Sequence, residues 1–472
     1  MSDRSKIDEG KILTLFNLEE EDIETFDACL KDNQMVIEVT LKEKENVLCP
    51  HCRQERIHVK EYVVKKINHA LLSDRKTILS YHARRYRCLA CNRTFYEFNP
   101  FVFRKQKIST LTVRNILEDL KNPSETFTNV AIRHHLSPTS VASIFDEHVI
   151  MERLAFPEYW CIDEAYAFKK DDSKYVCMFV DFFSGEPIDI LPSRKKEVLI
   201  EYFSKIPLSE RKAVKIVAMD MWDTYRQVVK QMFPNCLCAA DHYHLIQELN
   251  RKSDRIRIRV MKRYKGNTPE YYLLKHFNWV IYKDRYASDK DGTLLFDKNR
   301  KGKFNHKFNK EVNYYDILES IKKIDDELKE AIVLKDRCSS FYLQTSYEEA
   351  PAALKKLINE FGNSDIEEMK EFASTMYKWR QEIINSFIIV DYKYTVDHKD
   401  GHVVSERIRM NSAIMERQNA TLKIIKKVTM GMHNWHRFRN RSLYALRKNA
   451  TYRLEPIDNP KARRQYKVRK KG

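Results

Sequence analysis

Between Asn411 and Val428 the chain patterns as a two-faced helix. Ile414, Leu422, Ile425 and Val428 recur on one side at the 3.6-residue period, and Glu416, Asn419, Lys423 and Lys427 recur on the other. The polar side sets one acid beside an amide and two cations, which also describes an ordinary solvated face with i,i+4 pairing. Upstream the period shortens to that of strands. Tyr159–Ile162, Tyr175–Asp181 and Pro187–Leu191 pattern as three strands with short turns, a meander. Lys196–Ile206 then follows as a helix, Ala213–Met219 as a buried strand, Thr224–Phe233 as a helix and Cys236–Ala240 as a fifth strand.

Asp163 follows the first of these strands, Asp220 the fourth and Asp241 the fifth. Taken singly, each is an ordinary turn residue. The order β-β-β-α-β-α-β with acids closing the first and fourth strands is the layout of a ribonuclease H-like mixed-sheet core. Beyond His244 the pattern stays helical. Leu245, Leu249, Ile256 and Val260 form an apolar stripe, while Arg251, Arg255 and Arg259 repeat at i,i+4 as either a phosphate track or a solvated face. Leu318, Ile321, Ile324, Leu328 and Ile332 predict one long helix and Ile366–Ile384 another, so a large, mainly helical insertion precedes the two-faced helix. Asp400-Gly401 predicts a hairpin between Tyr392–Asp397 and His402–Ile408.

Toward the other end, Met35–Val39 and Thr77–His82 have strand character. Cys49-Pro-His-Cys52 and Cys88-Leu-Ala-Cys91 are two knuckles whose four thiolates suit one tetrahedral, structural Zn²⁺; buried or redox cysteines are the alternative. Three short helices follow, at Leu111–Leu120, Phe127–Leu136 and Ser137–Phe145, with Ser137 as cap and Pro138 at the first helical position. The last two pattern as a helix-turn-helix or as part of a plain three-helix bundle. In the first case Thr139, Ser140 and Ser143 would face a groove, with Arg133, His134 and His135 near phosphates.

Charge narrows the choice of partner. Against 67 Asp+Glu stand 85 Lys+Arg, a net +18, and a basic tail begins at Lys461, so a polyanion is expected, with double-stranded DNA first. No apolar run approaches a spanning helix and Met1–Gly10 does not pattern as a leader, so a soluble, cytoplasmic protein without a membrane partner is expected. With nine glycines and no phosphate-cradling motif, nucleotide hydrolysis is not expected.

Moving phosphodiesters at neutral pH calls for an activated oxygen and for neutralisation of charge at phosphorus, which two Mg²⁺ or Mn²⁺ ions held by carboxylates supply. Asp163, Asp220 and Glu416 are the candidates, with Asn419, Lys423 and Lys427 on the glutamate's helical face. The cysteine knuckles, Ile162-Asp163-Glu164, Val217–Met221, Phe233-Pro-Asn235, Asp241-His-Tyr-His244, and Glu416-x-x-Asn419-x-x-x-Lys423 followed by Gly431 and Phe438-Arg-x-Arg441, form an ordered set. This set resembles transposases of the ISL3 insertion-sequence family. The resemblance implies a zinc-ribbon and helix-turn-helix front end that reads terminal inverted repeats, and a DDE core with Asp163, Asp220 and Glu416 as triad. It makes Asp241 and His244 site-supporting, with Asp241 as the other candidate for second acid. Ala165, His242, Tyr243, Arg417 and Ala420 depart from the family's usual residues.

The expected segments are an extension over 1–45, a zinc ribbon over 46–100 and a helix-turn-helix domain over 101–155. A first part of the core over 156–250 and a helical insertion over 251–399 precede a second part of the core over 400–450 and a basic tail over 451–472. The expected activity is two-metal cleavage and strand transfer by a homodimer on paired DNA ends. The rivals are a DNA-binding protein with a spent core and a ribonuclease H-like nuclease without strand transfer.

Overall fold

A computed structural model describes residues 22–72, 75–103, 106–168, 174–395, 403–411, 413–429 and 432–457. The Asp400-Gly401 turn, Gly431 and the tail from Lys461 lie outside them, as do Met1–Gly10. Two compact units emerge. The first comprises Met1–Arg153, Tyr166–Lys174 and Ala420–Gly472; the second comprises Leu154–Ala165 and Tyr175–Asn419.

In the first unit, strands β1 (Ile23–Lys31), β2 (Gln34–Leu41), β3 (Ile57–Leu72) and β4 (Arg75–Cys88) form a sheet in the order β1-β2-β4-β3, and β5 (Thr94–Tyr96) pairs with β4. Thr77, Leu79, Tyr81 and Ala83 alternate along β4 onto one buried face, where the apolar ones pack with Ile37, Val39, Phe101 and Val102. Three helices follow: Thr110–Asp119, Phe127–Arg133 and Pro138–His148. Ser109, Thr126 and Ser137 cap them by accepting from the backbone N–H three residues on, and Pro138 takes the first position of the last. Helix Trp435–Leu446 packs here: the Tyr444 hydroxyl donates to the Leu117 carbonyl at 3.1 Å, and Arg441 donates to the Asn122 carbonyl at 2.7 Å. The stretch expected to close the catalytic core is therefore divided, because residues from Ala420 on belong with these helices.

The second unit is built on a five-stranded sheet. Its strands β6 (Tyr159–Ala165), β7 (Val176–Asp181), β8 (Pro187–Leu191), β9 (Ile216–Met219) and β10 (Leu237–Ala240) lie in the spatial order β8-β7-β6-β9-β10. β6, β7 and β8 pair antiparallel, whereas β6, β9 and β10 run parallel. β9 is buried at every position, as a parallel strand covered on both faces should be. Trp160, Phe179, Phe203, Phe233 and Tyr225 fill the core between sheet and helices.

The helical part of this unit has its own core around Leu249, Ile256, Val260, Leu318, Ile332 and Phe372. Two expected helices are each broken in two. Asp325 caps a new start by accepting from Leu328 N–H, which divides Tyr314–Lys322 from Asp326–Gln344. Trp379, outside helical geometry, likewise divides Glu367–Lys378 from Arg380–Asn385.

Candidate active site

Strand register decides where the acids stand. Ile162 pairs with Met219 in parallel, and Met219 with Ala240, so the next residues along β6, β9 and β10 are Asp163, Asp220 and Asp241, side by side at one sheet end. Asp241 is buried and caps helix His242–Met261, accepting from Tyr243 N–H at 3.2 Å. Its Oδ2 lies 3.7 Å from His244 Nε2, while Oδ1 serves the start of that helix. One turn into it, His244 brings Nε2 to 2.6 Å from Asp220 Oδ1. The pair is close but not aligned as a hydrogen bond, and Asp220 Oδ1 is buried without another partner.

Asp163, Asp220 and His244 each offer a ligand atom within 4.8 Å of the others. Burial, then the neighbouring Asp220 charge, pushes the Asp163 carboxyl up to about 7. Burial would lower the His244 imidazole, but Asp220 beside it and Asp241 behind it raise it to about 9. Crowded carboxylates answered by one cationic ring are a donor set that fits a hard divalent cation.

Glu164 is engaged elsewhere. It takes the Arg194 guanidinium on one oxygen and the Tyr225 hydroxyl, at 2.9 Å, on the other.

The two-faced helix, Ala413–Val428, reaches this site through Asn419, whose Nδ2 donates to Asp163 Oδ2 at 2.6 Å. Met415, Gln418, Asn419, Leu422 and Ile425 are its buried residues, so the apolar face is rotated from the expected one and includes two amides. Gln418 donates to the Gly185 carbonyl in the β7–β8 turn. Glu416 is exposed, stands one turn before Asn419 and does not join the cluster of ligand atoms; Lys423 and Lys427 are exposed further along.

The four cysteines of the first unit also converge. Sγ of Cys49 lies 3.7 Å from that of Cys91, Sγ of Cys52 lies 3.5 Å from that of Cys88, and all four lie within 4.8 Å. Thiolates at about 2.3 Å from a tetrahedral zinc stand about 3.8 Å apart, so the sulfurs fit that ion. Both knuckles turn alike: Arg53 and Asn92, each following the second cysteine, adopt φ of 57° and 58°. The Cys91 N–H holds the Cys88 thiol down to about 7, toward the thiolate a metal needs.

Several expected DNA contacts are otherwise occupied. His134 is buried against Asp119 at 2.9 Å, which removes it from any phosphate; Arg133 bridges Asp119 and Glu125, both at 2.7 Å. Arg259 clamps Glu327 and Glu368 of two neighbouring helices, so it is a structural cross-link rather than part of a free phosphate row. Ser140 bonds Ser137 Oγ at the helix cap, Arg251 bonds Gln247, and Thr139, Ser143 and Arg255 are exposed. Sequence reasoning missed Gln418 and Met415. The i+3, i+4 spacing Met415–Gln418–Leu422–Ile425 carried their signal.

No helix among the described residues is long and apolar enough to cross a membrane. A family model described as transposase matches residues 160–442, and a second, for the zinc-finger of transposases of IS204, IS1001, IS1096 and IS1165, matches residues 45–91. The transposase for insertion sequence element IS1001 of Bordetella parapertussis is 22% identical over 275 residues, 57% of this chain and 66% of that protein. The chain thus spans just under two thirds of that relative's length. With a family match over well more than half its length, joined to a four-cysteine zinc ribbon, the chain belongs to the ISL3 family of transposases.

Proposed function

We propose that the chain is a DDE transposase that binds the terminal inverted repeats of its own insertion sequence and carries out DNA cleavage and strand transfer on a ribonuclease H-like core. The observation that carries the reading is the parallel register of β6 and β9 that sets Asp163, within β6, beside Asp220 at the end of β9, with Asn419 of the glutamate helix bonded to Asp163. Asp163, Asp220 and Glu416 would hold a pair of Mg²⁺ or Mn²⁺ ions, which supply an activated oxygen and neutralise charge on the phosphorus and the leaving oxygen.

Asn419 fixes the Asp163 carboxylate, and Asp220 is assigned here as the second acid in preference to Asp241, a reading supported by the burial of Asp241 and its capping of the helix start. His244 holds Asp220 from behind and balances its charge before ions arrive. Water displaces the 3′ oxygen from the scissile phosphodiester, leaving a 3′-hydroxyl and a 5′-phosphate; that 3′-hydroxyl then displaces a 3′ oxygen of the target strand, so the transfer step forms one phosphodiester for the one it breaks, while the first step is a net hydrolysis. The zinc ribbon and the helices Phe127–Arg133 and Pro138–His148 read the ends, with Thr139 and Ser143 available to a groove. Arg251, Arg255, Lys423 and Lys427 meet phosphates. Two copies pair two ends.

The test is incubation of the purified protein with Mg²⁺ and duplexes bearing the repeats that flank its gene. Nicking at the repeat boundary and joining to target DNA are expected. Binding without either reaction would reduce the chain to an end-binding protein, and cutting indifferent to the repeats would make it a nuclease.

A further inference from the structure

A cavity of 360 Å³ adjoins the acid row in the second unit. His242 and Tyr243, the two residues before His244, form one wall, and Met410 and Asn411, just before the glutamate helix, form another. Tyr342 lines it as well, its ring stacked on Phe387 at 5.4 Å and facing His242 at 5.6 Å. Of its polar lining residues, which include Asp284, Ser339, Ser386, Arg409 and Asn411, Lys335 is the most buried, 1% exposed. Its ammonium has three donors, and among the described residues Nζ meets the Lys283 carbonyl at 3.1 Å and Asp336 at 3.5 Å.

Flat aromatic walls with a buried donor at one side suit a planar ring bearing hydrogen-bond acceptors. The cavity's position narrows the ligand further. His242 Nδ1 lies 3.7 Å from Asp241 Oδ1, so the cavity's occupant is a neighbour of the acid row and of whatever phosphate meets it.

We propose that this cavity receives an unstacked base of the DNA strand being cut, from a nucleotide next to the scissile phosphate. The inference rests on the phosphodiester reading above and adds how the strand is drawn to half-buried carboxylates. A phosphate in a regular duplex is held by a stacked base on its own strand; docking that base on the half-exposed Tyr243 ring, with Tyr342 behind it at the cavity wall, replaces the lost stacking. Lys335, bonded to the Lys283 carbonyl and beside Asp336, then turns its third donor to a base acceptor.

The test compares single-turnover cleavage of end duplexes carrying either the natural base or an abasic nucleotide at each position flanking the scissile phosphate. Tyr243→Ala removes a half-exposed wall, and Leu343→Trp fills the cavity from its exposed rim. Each variant is expected to cut the natural duplex about tenfold more slowly than wild type, the worth of one stacked base. At one abasic position that deficit should vanish. A deficit unchanged at every abasic position, or no deficit in either variant, would overturn the proposal while leaving the phosphodiester reading intact. A wild-type protein that cuts no duplex would overturn that reading, and this inference with it.

Discussion

Asn419 donates to Asp163 across 256 positions of chain, joining the glutamate helix to the first strand of the sheet by a 2.6 Å hydrogen bond. Asp163 is a carboxylate crowded by burial and by Asp220, so the amide holds it in one orientation at the cost of none of its charge. Asn419→Ala is expected to slow end cleavage about 10- to 100-fold, as loss of a ligand-orienting partner does. Asn419→Asp adds a further negative charge beside Asp163 and should do worse. End binding, measured by gel shift, should stay unchanged; a cleavage rate equal to wild type in Asn419→Ala would contradict the assignment.

Gly185 seats the other side of that helix. It has φ of 71°, and a Cβ there would meet Ile414 Cδ1 at 2.6 Å. Gly185→Ala is expected to cost about 1–3 kcal/mol in urea unfolding, combining backbone strain with overpacking. Ile414→Ala in the same chain should return the packing part of that loss. An additive double variant would show that the turn does not seat the helix.

The strands bearing the acids were legible because buried parallel strands are short, continuous apolar runs ended by a charge, as Ile216–Met219 before Asp220 illustrates. The capping of Pro138–His148 was legible for the same local reason. Features that depend on distant partners were not. Arg259 and His134 look like free cations in sequence, and only Glu327, Glu368 and Asp119 reveal them as cross-links. Ile324 continues an apolar stripe even though Asp325 restarts the helix. Strand β3 was missed because His58, Lys60, Tyr62, Val64 and Lys66 make one exposed, mixed face. Asn419 was placed on the polar face, yet it is buried, because its partner is a carboxylate rather than water.

The zinc ribbon gives a prediction independent of the acids. Purified wild-type protein should carry about one zinc per chain, and Cys52→Ser or Cys91→Ser should lose most of it, measured by elemental analysis. End binding should weaken while the far-ultraviolet spectrum of the remainder persists. Full zinc content in both variants would refute the four-thiolate site.

A cation at the proposed acid site would compete with protons. Asp163 sits at about 7 against an ordinary 3.8, so its favourable contribution to the cation-free fold is complete below about pH 4 and is lost as pH rises through 7. His244, at about 9 against 6.5, has the same sign: its contribution is full below its ordinary value and lost through 9. A bound cation relieves the Asp163 part by pairing the ionised carboxylate. The rise in melting temperature on adding Mg²⁺ should therefore be larger at about pH 8 than at about pH 6. Equal rises at both would show that Asp163 does not take part in cation binding.

Glu416 lies one turn from the helix residue that touches the aspartates and outside their cluster, so the third carboxylate is the part of the account most exposed to test. The direct measurement counts Mn²⁺ ions on the end-bound protein by electron paramagnetic resonance, alongside cleavage. Wild type should hold a pair of ions per chain, and Glu416→Gln should lose one of them together with cleavage. A Glu416→Gln protein that keeps both ions and cuts at the wild-type rate would contradict the shared-cation site.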